Sequence, residues 1–236
     1  MLQDTTELVN YDGAHSFEVA NDRVVIRELL ENWVIWRDAG EWDRFATVWH
    51  DDGRMMATWF QATASEFIAG CRKAFEAGLV GLHTLGGTSI EVRGSRAVTH
   101  SKMQIIQRGE IDGVEVDVTC IGRFVDAFEK RDGRWGMVLR QPVYELDRMT
   151  PVNPTLVPIL DETLLQAYPE GYRHLAYLQT KMGFAVSKTL PGTRGPEILA
   201  LSRRMTEWLE GADANCLNAN VGSGSPDEPL PMARAQ

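Results

Sequence analysis

From Thr88 to Arg148 the chain is written with a period of two. Four runs, "TSIEV", "RAVTHSKMQIIQR", "VEVDVTCIGRFVDAFEK" and "RWGMVLRQPVYELDR", alternate apolar and polar residues and are rich in branched and aromatic types. Arg93-Gly94-Ser95, Asp112-Gly113 and Asp132-Gly133 separate them. Asp-Gly favours the left-handed two-residue turn whose twist matches a pair of antiparallel strands. Long strands joined by such turns can only meander side by side, so this stretch predicts one antiparallel sheet.

Upstream the period is helical. In "NDRVVIRELLENWVIWRDAGEWDRF" the residues Val25, Ile26, Leu29, Leu30, Trp33 and Trp36 fall on one stripe, with Asn21 or Asp22 as N-cap and Gly40 as the stop. "EWDRFATVWHDDG" predicts a second short helix ending at Asp52-Gly53, followed by a brief strand, "RMMATWF". Thr63 and Glu66 form a capping box that opens a third helix through Phe67, Ile68, Cys71 and Phe75 to Gly78. Helices first and antiparallel strands after define an α+β domain, a curved and mostly antiparallel sheet whose concave face the helices close.

Pro151, Pro154 and Pro158 mark a break. Beyond it, Asp161 to Met182 is helical with an interruption at Pro169, and Pro196 opens a helix bearing Ile198, Leu201, Met205 and Trp208 on one stripe. The division is therefore an N-terminal arm over 1–20, an α+β domain over 21–150, a helical extension over 151–211, and a tail over 212–236 that composition assigns to disorder. The extension is too small to fold alone and must pack on its own sheet or on a neighbouring subunit.

Charge and motif content remove several functions. A net charge of −9 on 236 residues argues against nucleic acid or an anionic membrane surface as partner. No apolar run approaches the roughly 20 residues of a membrane span, and the first residues carry no signal-peptide pattern, so a cytoplasmic protein is expected. The three cysteines, Cys71, Cys120 and Cys216, lack CxxC spacing. No HExxH, Walker or GxGxxG pattern occurs, and "GTRGPE" lacks the preceding strand and lysine, so neither metal nor cofactor is expected.

Four motifs in one order narrow the fold: "W-x-x-W-x-D-x-G-x-W" from Trp33, "F-x-x-V-W-H-D-D-G" from Phe45, "H-x-x-G" from His83, and "FEKRDGRW" ending at Trp135. In these the chain resembles the SnoaL-like branch of the nuclear transport factor 2-like superfamily over about residues 20–150. The resemblance implies a cone-shaped α+β barrel around an apolar cavity. Within the branch the pattern is similar to cofactor-free lyases: dehydratases, a dehydrochlorinase and a formaldehyde lyase. That similarity implies a base made of His83 and Asp38, with Arg140 on the leaving-group side. It also implies a dimer or trimer packed through the sheets' outer faces. Trp33 departs from the pattern, standing where those lyases carry a polar group.

The residues themselves leave alternatives open. A carboxylate on Nδ1 of His83 would fix the tautomer and leave Nε2 to accept a proton. On residue type alone, a turn histidine bonded to backbone and an aspartate closing a helix before Gly40 fit as well. Arg140 either enters the pocket or lies on the outer face beside Glu129 or Asp126. His100 shares parity with Lys102, which places it towards solvent. Trp33, Trp36, Trp59, Met103 and Tyr144 are candidates to line the cavity, and Tyr144 or Tyr11 could supply the polar group absent at Trp33. The expectation is a lyase removing water, formaldehyde or halide from a small apolar, aromatic or alicyclic substrate, lignin-derived diaryl compounds among the candidates. An isomerase or polyketide-type cyclase, or a binding module without catalysis, would share the same fold.

Overall fold

A computed structural model of the chain describes residues 17–218. Three helices, α1 (Phe17–Ala39), α2 (Trp42–Ala46) and α3 (Ala64–Glu76), precede or interrupt a six-stranded sheet. Its strands are β1 (Trp49–Met56), β2 (Gln61–Thr63), β3 (Gly81–Arg93), β4 (Arg96–Ile111), β5 (Val114–Arg131) and β6 (Arg134–Pro151), in the order β2-β1-β6-β5-β4-β3. All neighbours are antiparallel except β1 and β6, which run parallel. The sheet is curved and open rather than closed on itself, and with its helices makes an α+β fold.

The turns follow from their chemistry. Asp112 (φ 48°) with Gly113 (φ 84°), and Asp132 (φ 51°) with Gly133 (φ 81°), hold the paired positive φ of the hairpin turn their sequence favours. Gly40 (φ 73°) ends α1 as a left-handed cap: Glu41 N–H donates to Trp36 O and Gly40 N–H to Arg37 O. Arg37 and Asp38 are thereby placed in the last turn of α1, against β3.

The two faces of the sheet have separate cores. On the concave side Leu30, Trp33, Phe45, Phe67, Phe124 and Tyr144 belong to one buried cluster. On the convex side Val98, Val125, Ala127, Leu139 and Val143 form another with Leu201, Met205 and Trp208. The extension supplies both. After α4 (Glu162–Gln166), α5 (Arg173–Lys181) packs Leu175, Ala176 and Leu178 into the concave core, whereas α6 (Pro196–Leu209) lies on the convex face. Arg96 stacks on the Trp208 ring at 3.8 Å and donates to the carbonyls of Trp208 and Ala212, pinning that helix end. The extension thus packs on its own sheet.

Several boundaries differ from the sequence reading. Helix α1 begins at Phe17, not at Asn21 or Asp22, because the buried Asp22 carboxylate is engaged by Trp135 Nε1 (2.7 Å) and Lys130 Nζ (2.9 Å) instead of capping. Helix α2 stops at Ala46, and "WHDDGRMM" is strand β1: pairing with β6 captures it, through a register shift between Trp49 and Arg54 that breaks the alternation. Strand β3 begins at Gly81 and includes His83, the Gly86-Gly87 pair marking a register shift rather than a loop. Pro169 divides the 161–182 segment into α4 and α5. The segment assigned to a tail from 212 begins with a 3-10 turn, Ala214–Leu217, because Leu217 is buried in the convex core. Tyr11 and residues 219–236 lie outside the described residues.

Candidate active site

The C-terminal turn of α1, the start of β3, the inward faces of β4 and β6, α3 and α5 enclose a cavity of about 350 Å³. Phe67, Trp59, Phe124, Leu175 and Phe184 make its apolar walls, and Arg37, Asp38 and His83 its charged side.

Two hydrogen bonds join Asp38 to His83, and Arg37 braces the pair. The Asp38 Oδ2 accepts the backbone N–H of His83 at 2.6 Å, and Oδ1 accepts the ring Nδ1–H at 2.8 Å. Arg37 Nη1 donates to Asp38 Oδ1 at 3.0 Å and also to the carbonyl of Gly81. One carboxylate therefore fixes both the strand and the imidazole, and sets the tautomer with the proton on Nδ1. Nε2 has no protein partner among the described residues, and the ring is part of the cavity lining. Trp33 backs the imidazole edge-on at 5.3 Å.

Electrostatics keep this imidazole neutral. Burial first, then the Arg37 charge, pull the His83 pKa down to about 4, against the raising influence of Asp38. Burial acts to raise the Asp38 carboxyl, but the hydrogen bond and charge of His83, with the charge of Arg37, outweigh it and leave it below its ordinary value. The site at neutral pH is an ionised Asp38 carrying an uncharged imidazole with a free lone pair.

The other expected residues divide. Trp59 and Tyr144 line the cavity, whereas Trp33, Trp36 and Met103 do not. Trp33 and Met103 are buried behind the wall because their strand and helix positions are filled by neighbours: Trp33 packs on Phe45, Phe67 and Phe124, and Met103 approaches Gly122. Trp36 is half-buried against the concave core.

Arg140 does point to the concave side, but it is not part of the cavity lining. It is fully buried, bidentate on Asp126 (2.8 and 2.8 Å), and lies against the rings of Trp33 (4.2 Å) and Phe124 (4.1 Å). The corner formed by these rings separates it from the cavity. Its reach into the site is electrostatic, as one of the charges lowering the His83 pKa. His100 is exposed on the opposite face. His50 is a structural link, its ring bonded to Glu129 O and Arg134.

Arg37 was not singled out by sequence, although "WRDAGEW" places it beside Asp38. The extension's share of the wall, Leu175, Gln179 and Phe184, was missed as well. Cys71 also lines the cavity, but burial pushes its thiol up to about 11, so it is no thiolate nucleophile. Among the described residues no cluster of three or more His, Cys, Asp and Glu side chains is placed to hold a metal ion.

Comparison with known proteins gives the lineage. Residues 18–141 match the model of the SnoaL-like domain. The chain is 40% identical over 207 residues to pea pathogenicity protein 2 of Fusarium vanettenii, covering 82% of this chain and 88% of that one. It is 39% identical over 201 residues to a PEP2-like protein of the same fungus, covering 80% and 86%. Among solved structures, a hexachlorocyclohexane dehydrochlorinase aligns at a TM-score of 0.49 and 14% identity, covering 61% of this chain and 97% of that one. The match across more than half the chain, on the fold described above, makes this protein a member of the SnoaL-like domain family, within the nuclear transport factor 2-like superfamily.

Proposed function

We propose that the cavity is the active site of a cofactor-independent lyase in which His83 is the general base. The observation that carries this reading is the imidazole itself: Nδ1 bonded to a half-buried carboxylate, and Nε2, at a cavity, without a partner among the described residues. A pocket near 350 Å³ is at the small end of ligand sites, which suits a compact one- or two-ring substrate.

The step follows from the geometry. Nε2 takes a proton from a substrate C–H, and the C–H electron pair becomes a new double bond as the leaving group departs with its own pair. Where the leaving group is hydroxyl, the imidazolium formed returns that proton to the departing oxygen, so substrate divides into alkene and water with no net change in the enzyme. Asp38 stabilises the imidazolium while it lasts. Arg37, rather than Arg140, is the cation lining the cavity, and it stabilises charge developing on an oxygen of the substrate. Burial raises the Tyr144 phenol well above its ordinary value, so it stays protonated and can donate to a polar group of the substrate.

The test is a mass-spectrometric screen of compact oxygenated and halogenated ring compounds for loss of a small neutral fragment, run on the intact protein and on His83→Ala. Turnover by the intact chain that disappears in the variant supports the reading. Turnover that survives removes the base, and conversion at unchanged mass makes the protein an isomerase.

A further inference from the structure

The cavity has a second polar end that the proton-transfer chemistry does not use. Thr58, Gln107, Tyr144 and Gln179 all line it and come from four elements: the β1–β2 connection, β4, β6 and α5. Thr58 Oγ1 donates to Gln179 Oε1 at 2.7 Å, and Gln179 Nε2 donates to Gln107 Oε1 at 2.9 Å. At the far end, the one partner of Gln107 Nε2 among the described residues is the thioether of Met182, at 3.6 Å, a weak acceptor.

Such a chain has a direction. Each amide oxygen already accepts one bond, whereas each amide nitrogen has a second N–H and the terminal one lacks a good acceptor among the described residues. What this end offers a bound molecule is therefore hydrogen-bond donors, held rigid by burial of Gln179 (3% exposed) and by the link from Ser187 N–H to Thr58 O. Its place is fixed by register. His83 is paired with Ile105, and Gln107 is two positions along the same strand, a step of about 7 Å.

We infer that these residues form a specificity site for an oxygen atom of the substrate, a carbonyl or hydroxyl oxygen, about one ring's width from the carbon that faces His83. The substrate class is then an oxygenated ring compound rather than a bare hydrocarbon or halocarbon, and the extension, through Gln179, takes part in selecting it. This rests on the reading of the cavity as a substrate pocket. Gln107 and Gln179 are assigned positioning, not proton transfer.

The experiment compares 2-naphthol with naphthalene as probes, by ligand-observed magnetic resonance, in the full chain and in Gln179→Leu, Gln107→Leu and His83→Ala. The naphthol-to-naphthalene affinity ratio is expected to fall about 3- to 10-fold in each glutamine variant, the equivalent of one neutral hydrogen bond. Gln107→Leu guards against a folding defect in α5, because Gln107 belongs to the sheet. A ratio unaltered by both glutamine variants, or altered only in His83→Ala, overturns the inference while leaving the pocket in place. A chain that binds neither probe overturns the pocket reading beneath it.

Discussion

In the proposed reaction His83 is the base, and its environment makes two measurable demands. Replacement by alanine removes the base, and turnover is expected to fall about 10²–10⁴-fold with the far-UV circular dichroism unchanged. The second demand concerns pH. The folded imidazole titrates near 4 whereas an unfolded one titrates near 6.5, so the base stays competent well below neutrality. The acid limb of kcat/KM is expected below the ordinary histidine range. The same depression means that the unfolded chain binds the proton first: His83 adds stability above about pH 6.5 that is lost progressively as pH falls towards 4. Arg37→Gln removes the neighbouring charge that holds the proton off, so the limb should move up towards neutrality. An unmoved limb in that variant would mean that Arg37 only shapes the strand. The aspartate and histidine themselves were legible because they stand in motifs. Arg37 was not, since its role comes from the Schellman turn at Gly40 and the carbonyl of Gly81, neither of which has a side-chain signature.

At the scale of elements, the hairpins and the capped helix α3 could be read directly because each is governed by local chemistry: Asp-Gly turns, and a Thr63–Glu66 box whose two bonds both form. What escaped was set by partners distant in sequence. Strand β1 exists because β6 lies beside it in parallel, and nothing in "WHDDGRMM" announces that. Helix α5 is another case: the side chain of its N-cap Tyr172 does not cap the helix, and the buried Asp147 of β6 serves instead, accepting Leu175 N–H and His174 Nδ1–H at 2.8 Å each. Asp147→Ala leaves that N–H buried without a partner, at a cost of about 1–3 kcal/mol, measurable as a lowered urea midpoint. Because α5 carries Leu175 and Gln179 to the cavity, KM for whatever substrate is turned over should rise with it, while the acid limb set by His83 and Arg37 stays in place. A stability loss with KM unchanged would show that α5 is dispensable to the pocket wall.

The whole molecule differs from a bare cone in that one extension serves both faces of the sheet. Its first half closes the cavity, and its second half covers the convex surface, the face through which the family resemblance implied that subunits would pack. Helix α6 buries Leu201, Met205 and Trp208 on Val98, Val125, Leu139 and Val143, so that face is occupied by the chain itself. Further along the same face, the cross-strand pair Ile121 and Leu146 remains exposed (37% and 58%). Trp208→Ala tests the arrangement. Trp208 is fully buried and holds the Arg96 guanidinium, so its truncation should cost about 3–5 kcal/mol and loosen α6 from the sheet. The uncovered apolar strands should then associate, seen as a rise in scattering mass with concentration beyond that of the intact chain. Since the cavity lies on the other side, the acid limb of activity should survive in whatever fraction remains folded. Loss of the limb together with α6 would mean that the two faces are coupled through the sheet, with Arg140 and Asp126, buried between them, as the route.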